Sequence, residues 1–493
     1  MTEAMAQMAD AGARPSAVEW AEVQRVLLSG YPKQPWARFL LLRVTDAALA
    51  SQFLSGLVSH RVVKFGWGDR RASGPVGNVA FTREGLEALG VDEATLAGFS
   101  PEFLEGMAAP ARARKMRDVE ESDPEAWSWG YGAAQVHLVL MLYAATEPEL
   151  DALVDSQRVA LPGGGLTELF GPAGDELGAT RPIGERREHF GFADGIVQPR
   201  FRDEPPGMRS RGARDADLVA TGEFLLGYPN EANILPRSPA LSEAAKARKG
   251  FERADGDFGR NGSYLVFRQL EQDVGGFWRS MACIGAEATV DDRVRLASKM
   301  VGRWPDGAAL VTHPHGSTQR ARDPENFDYA RDDPHGDRCP FGAHIRRSNP
   351  RASLAKDPEL GLAKSKKHRL LRRGRSYGEP FVEPMTPDEL VRAAENGTGR
   401  PGPRGLQFLC FNADLANQFE FVQQTWINGT VFQGLHGEVD PLVGDPAVTG
   451  GRFSVPSEPL RRVQCLRRFV TVRGGAYLFL PSRAALGYLS RLG

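Results

Sequence analysis

Residues 36–60, "WARFLLLRVTDAALASQFLSGLVSH", hold two periodicities in one short stretch. The run from Phe39 to Val44 reads as a buried strand. Asp46 ends it and opens an amphipathic helix. The same grammar returns at 134–157 ("AQVHLVLMLYAATEPELDALVDSQ"), at 262–283 ("GSYLVFRQLEQDVGGFWRSMAC") and at 405–426 ("GLQFLCFNADLANQFEFVQQTW"). There are thus two strand–helix units in each half of the chain, with no fixed short period of the kind that builds solenoids or propellers. Two such units plus extra strands make a β-α-β-β-α-β motif, an antiparallel sheet with helices on one face. The expected fold class is therefore α+β, two ferredoxin-like domains in a dimeric α+β barrel-like arrangement.

At 493 residues the chain exceeds the size at which one core usually stops growing, which favours two domains. The expected division is a tail at 1–30, an N-terminal ferredoxin-like domain at 31–225 and a C-terminal one at 226–493. A Pro-, Gly- and charge-rich segment from about 200 to 258 marks the crossing between them. A second long irregular region, about 303–400, carries many arginines and few apolar runs. Loops of that length are usually functional or disordered.

Lys plus Arg (61) balances Asp plus Glu (62), which argues against a dedicated nucleic-acid or membrane-surface binder. Cys283, Cys339, Cys410 and Cys465 lack zinc-like or C-x-x-C spacing, so structural disulfides are not expected. The N-terminal stretch lacks an apolar signal region, and no run approaches the roughly 18 apolar residues of a membrane span. The expectation is a soluble cytoplasmic protein.

Within "HFGFADGIVQPR" (189–200), Asp194 lies among Phe192, Ala193, Gly195 and Ile196, neighbours that suit contact with something flat and apolar. An acid in such company needs a partner or a job. In "RCPFGAHIRRSNPR" (338–351), Pro340 suits a first helical turn and Asn349-Pro350 a stop, which places His344 on a short helix beside Gly342 and Ala343. Histidine is the usual proximal ligand of peroxidase haem, although a lone histidine is more often a satisfied core or loop residue. In "KSKKHRLLRRGRSYGEP", eight of the twelve residues from Lys364 to Arg375 are Lys, Arg or His. The Leu370-Leu371 break is expected to turn Arg372 inward while its neighbours stay wet.

"GFADG" (191–195), "CPFGAHIRRSNPR" (339–351), "LLRRGRSYG" (370–378) and "GLQFLCFNADLANQFEFVQQTW" (405–426) occur in this order, and together resemble the signature of the dye-decolorising peroxidases. The resemblance implies two ferredoxin-like domains, with one haem b per chain held mainly by the second. It makes Asp194 the distal acid–base residue, Arg372 the distal arginine and His344 the axial ligand. Leu406 and Phe408 are then the pair over the distal face, since alternation along a strand points both to one side. Ile196 is expected to touch the cofactor as well. The axial histidine needs an acid or carbonyl on its second nitrogen; Asp440 is the first choice and Glu420 the second. Exposed aromatic residues can relay electrons to bulky reductants, and Tyr377 and Trp426 are candidates, although a packed or partly exposed aromatic is the more ordinary reading of each.

The implied partners are hydrogen peroxide and an aromatic reductant, in a monomer or homo-oligomer. The competing readings are a haem- or iron-handling protein with incidental turnover and a scaffold without haem. A distal acid paired with an arginine favours the enzyme, because storage requires neither.

Overall fold

The computed structural model describes residues 17–68, 74–170, 180–204, 214–247, 251, 253, 255–284, 288–316, 326–456, 461–464 and 466–493. The first part of the expected N-terminal tail, parts of the 200–258 crossing and Cys465 lie outside this set. Of the other cysteines, Cys339 and Cys410 are buried free thiols.

The first half contributes β1 (Trp36–Val44), β2 (Val76–Phe81), β3 (Leu138–Ala144) and β4 (Leu166–Glu168), side by side in the order β4-β1-β3-β2. A small parallel pair follows, β5 (Arg200–Phe201) and β6 (Leu218–Val219). The second half contributes β7 (Ser263–Gln272), β8 (Leu371–Arg372), β9 (Arg375–Tyr377) and β10 (Gly405–Asn412). After a separate hairpin of β11 (Phe453–Val455) and β12 (Arg461–Val463), β13 (Val470–Leu480) completes the set. Its order is β13-β7-β10-β8, with β9 also on β10. Both halves thus share one arrangement, the ferredoxin-like one, with antiparallel neighbours throughout.

The two sheets meet edge to edge where Phe479 of β13 pairs with Phe81 of β2. At the other side Thr180 bridges Ala37 of β1 and Tyr377 of β9. The combined sheet therefore curls into a barrel. Alternate residues divide between an interior core and an outer layer. Phe39, Leu41, Leu265, Phe267, Leu409, Phe411, Leu478 and Leu480 share the interior. Leu40, Leu42, Tyr264, Val266, Cys410, Tyr477 and Phe479 join the outer core. Burial on both faces is why β1 reads as a continuous apolar run and not as an alternating one.

The outer layer is built by helices that follow the strands. Ala47–Ser59 is capped by Asp46, whose side chain accepts from Leu49 N at 2.9 Å, a contact worth about 1 kcal/mol. Glu147–Ala160 starts with a reciprocal capping box of Thr146 and Glu149. Val274–Ser280 follows β7, and its cap Asp273 accepts from Gly276 N at 2.7 Å. After β10 the chain forms a wide π-type helix over Ala416–Ile427 where an ordinary helix was expected, with bonds such as Glu420 N to Leu415 O at 3.0 Å. Among the described residues no helix is long and apolar enough to cross a membrane.

The irregular stretch 303–400 is largely folded, with helices at Tyr329–Asp332, His344–Ser348, Pro358–Lys366 and Pro387–Asn396 besides β8 and β9. Within it the expectation of wet neighbours around Arg372 fails. Arg372 pairs with Cys410 and faces outward from the barrel like it, whereas the alternation turns Arg373 the other way. There Arg373 donates to the carbonyls of Val26 and Leu27, each at 2.9 Å, and Arg375 donates to Gly30 O at 2.8 Å. The Val26 and Leu27 carbonyls end the short helix Arg25–Leu28, a natural place for cations.

The segment leading to Asp194 is pinned at two points. Thr180 Oγ1 donates to Ala37 O at 2.6 Å and accepts from Ala37 N at 3.0 Å. His189, fully buried, places Nε2 2.7 Å from Tyr377 O, a carbonyl to which that nitrogen must donate. Thr180→Val leaves two buried backbone groups without these partners and is expected to cost about 1–3 kcal/mol in urea unfolding. Burial holds His189 down at about 4, from an ordinary 6.5, against the opposing pull of Tyr377 O. The unfolded chain binds the proton first, so this contribution is intact above pH 6.5 and is lost as pH falls towards about 4, up to about 3 kcal/mol. His189→Gln is expected to give a shallower loss of urea stability than the parent across that window.

Candidate active site

The side chains that the sequence singles out converge on one cavity outside the barrel, against the second half's sheet. Asp194, Ile196, His344, Arg372, Leu406 and Phe408 all line it. The strands explain part of this. Leu406 and Phe408 lie on the same face of β10 as Cys410, opposite Leu270 and Arg268 of β7, and all four reach the cavity. The π-type helix adds Phe419, Val422 and Ile427 to the wall.

His344 opens the helix His344–Ser348. The helix stops before Asn349-Pro350, as the sequence suggests, but begins after a turn at Pro340–Ala343 and not at Pro340 itself. Two arginines beside His344, which sequence reasoning passed over, fix it in place. Arg346 donates to Asp333 Oδ2 at 3.1 Å and Cys339 O at 2.8 Å, and lies over the rings of Phe341 and Tyr329. Arg347 donates to Trp426 O at 2.6 Å, Gly429 O at 3.0 Å and Glu438 O at 2.9 Å. Both are fully buried. The second set of contacts runs into the loop that carries Asp440.

Asp440 Oδ2 accepts from His344 Nδ1 at 2.8 Å, and its other oxygen accepts from Leu442 N at 2.9 Å and Val443 N at 3.0 Å. Burial pushes the Asp440 carboxyl up, but His344 and the two backbone donors outweigh it and the net shift is downward. For His344 burial acts downward, and Asp440 overcomes it to give a net rise. With Nδ1 committed to a carboxylate, Nε2 is the nitrogen left with a lone pair. Glu420 takes no part in this. It is buried elsewhere, accepting from Arg112 at 2.8 Å, Lys115 at 2.7 Å and Tyr477 OH at 3.0 Å.

Asp194 sits at the tip of a tight loop, with Asp194 N donating to Arg186 O at 2.8 Å and Ala193 N to Pro305 O at 3.0 Å. Gly195 follows at φ +70°, a left-handed conformation that suits glycine. Gly307 gives the loop room, since a Cβ there would lie 2.7 Å from Ile196 Cδ1. Arg372 Nη1 lies 3.8 Å from Asp194 Oδ1. That is close enough for strong electrostatic contact and too long for a hydrogen bond, so the carboxylate is not tied up. Arg372 is itself set by Gln198, whose Oε1 accepts from Arg372 N at 2.9 Å. Glu188 and Gln272, neither of them anticipated, also line the cavity and bond to each other at 2.8 Å.

The two aromatic residues suggested as exposed relays are not exposed. Tyr377 is 1% and Trp426 5% accessible. Tyr377 is held within the sheet on β9, and Trp426 packs against His368 and Phe421. Strand alternation and a continuing helix buried both, which a position at the end of a motif does not reveal.

No family model matches the chain. Among curated proteins it is 30% identical over 478 residues to a multifunctional dye peroxidase of an Amycolatopsis species, covering 91% of each chain. It is 28% identical to a dye-decolorizing peroxidase of Mycetinis scorodonius, covering 98% of this chain and 89% of the relative. Among solved structures, a fungal DyP-type peroxidase from Auricularia auricula-judae superposes with a TM-score of 0.73 at 26% identity, over 96% of this chain and 100% of the other. A cyanide complex of another dye-decolorizing peroxidase shares the fold with a TM-score of 0.75 at 23% identity, over the same shares of each chain. The likeness spans nearly the whole chain, and the chain belongs to the dye-decolorizing peroxidases, oxidoreductases that act on peroxide.

Proposed function

We propose that the cavity holds one haem b per chain, with His344 as its axial ligand, and that the protein uses hydrogen peroxide to oxidise dyes, phenols and other aromatic compounds. The observation that carries this is the joint presence, around one cavity, of an acid-backed histidine and an acid–arginine pair 3.8 Å apart. The donor set fits the cofactor. Among the described residues no group of three or more His, Cys, Asp or Glu could hold a metal ion by itself. A single histidine with Nδ1 bonded to a carboxylate suits a metal that brings its own equatorial nitrogens. Ile196, Leu406 and Phe408 offer apolar contact to a flat macrocycle, and Arg351 and Arg369, which line the same cavity, offer charge for its carboxylates.

When bound, haem would supply the redox chemistry that links the peroxide to the reductant. The protein handles the proton. Asp194, as carboxylate, takes the proton from one peroxide oxygen and delivers it to the other, which leaves as water. Arg372 sets a fixed positive charge beside the oxygen that gathers negative charge as the bond breaks, an effect that is larger in a dry pocket. Leu406 and Phe408 keep that pocket small and apolar. Asp440 keeps His344 in one tautomer and one orientation and strengthens it as a donor.

His344→Ala is expected to abolish the Soret band of protein reconstituted with haem, and Asp440→Asn to weaken haem retention by about 10–100-fold. Asp194→Asn is expected to keep the Soret band and slow the reaction with peroxide by about 100-fold or more in stopped-flow measurements. Arg372→Leu is expected to lose a similar factor. Unchanged peroxide kinetics in Asp194→Asn across the pH range would sink the assignment of the proton shuttle.

A further inference from the structure

The loop that presents Asp194 is organised around a second acid. Glu188 is half-buried at the cavity wall, and its side chain closes the turn from 188 to 192. Oε2 accepts from Phe190 N at 2.8 Å, Oε1 accepts from Phe192 N at 3.0 Å, and Gln272 Nε2 on β7 donates to Oε2 at 2.8 Å. The backbone repeats the closure, with Glu188 N donating to Phe192 O at 3.0 Å. Two residues further on, Asp194 faces the same cavity as Glu188.

We propose that Glu188 is a positioning residue for Asp194, a second carboxyl of this wall whose negative charge holds the 188–192 turn in the shape that presents Asp194 to the cavity. This rests on the reading of Asp194 as the acid–base group. The donor count explains why charge matters. Three N–H groups point at the two oxygens, and an ionised carboxylate accepts at both. Once protonated, one oxygen carries a hydrogen that meets an N–H donor, and the turn loses part of its hold.

The ionisation of Glu188 falls in a useful range. Burial pushes it up, Phe190 N, Gln272 and Phe192 N pull it down, and the charge of Asp194 pushes it up again, for a net rise to about 7. The other charged groups of the neighbourhood bond to backbone carbonyls and not to the Glu188 carboxyl, Arg187 among them to the turn itself. Arg187 donates to Gly191 O and Pro305 O, His189 turns to Tyr377 O, Arg303 donates to Gly307 O and Arg404 donates to the carbonyls of 400–402. Asp194 acts on Glu188 through space, less than burial and the three donors do.

The test uses haem-loaded protein and two readouts. In infrared titration from about pH 5 to about pH 9, the parent is expected to lose a protonated carboxyl band with a midpoint near 7. That band is absent in Glu188→Gln, its midpoint moves to lower pH in Asp194→Asn, and it moves to higher pH in Gln272→Leu, which removes one donor and leaves the acid in place. In stopped-flow kinetics, the parent's peroxide reaction is expected to rise through the same midpoint. Glu188→Gln is expected to lose that rise and to run about tenfold or more slower above it. If Glu188→Gln does not fold, Gln272→Leu carries the test, by moving the infrared and kinetic midpoints upward together.

The proposal is overturned if Glu188→Gln keeps the parent's rate and pH profile, or if the band titrates in the ordinary glutamate range. If Asp194→Asn loses the peroxide reaction while Glu188→Gln behaves as the parent, this inference fails alone. If Asp194→Asn reacts as the parent does, the shuttle assignment fails and this inference falls with it.

Discussion

A sheet buried on both faces has no solvent side on which to leave a polar group, and the rest of this molecule follows from that constraint. In β1, β3, β7, β10 and β13 one set of alternate residues fills the barrel and the other meets the outer helices. Space for a ligand opens where the outer layer parts from the sheet. That happens along β7 and β10, where Arg268, Leu270, Leu406 and Phe408 reach a cavity. The cavity's place in the fold is thus decided by strand register before any functional residue is considered.

The residues that work there are held by groups that never touch the reacting atoms. His344 is fixed by Asp440 on its own ring and by Arg346 and Arg347 next in the chain. The arginines reach opposite ways, one to the 333–341 segment and one to the 426–438 segment, so the short helix is braced between two segments. Buried arginines of this kind suit irregular backbone, because a guanidinium can satisfy several carbonyls that no helix or sheet would pair. Asp194 is held in a similar way from Arg186, Pro305 and the turn behind it.

Much of the architecture was legible because strand length, capping residues and turns act locally. Asp46, Thr146 and Asp273 each cap a helix that follows a buried strand, and each is visible as a short polar residue after an apolar run. Asp194, His344 and Arg372 were legible as motifs, and the structure brings them to one cavity. What stayed hidden depends on contacts distant in sequence. Whether Arg373 is wet or buried depends on carbonyls more than three hundred residues away. Glu188 and Gln272 meet across 84 positions, and neither has a local signal that separates it from a surface residue. That Tyr377 and Trp426 are packed, the more ordinary of their two readings, was not decided by local sequence either, since exposure is a property of the assembled layers.

The seam between the halves has a consequence for how the molecule is made. β2, complete within the first 81 residues, finds its outer neighbour in β13, which begins at Val470. A ribosome must therefore add nearly the whole chain while the first sheet's open edge, flanked by apolar side chains on both faces, waits for cover. Such an edge invites pairing with another nascent copy. Productive synthesis thus depends on keeping that border occupied, by a chaperone or by dilution, until the final strand arrives, and a chain cut short before it would be prone to aggregate.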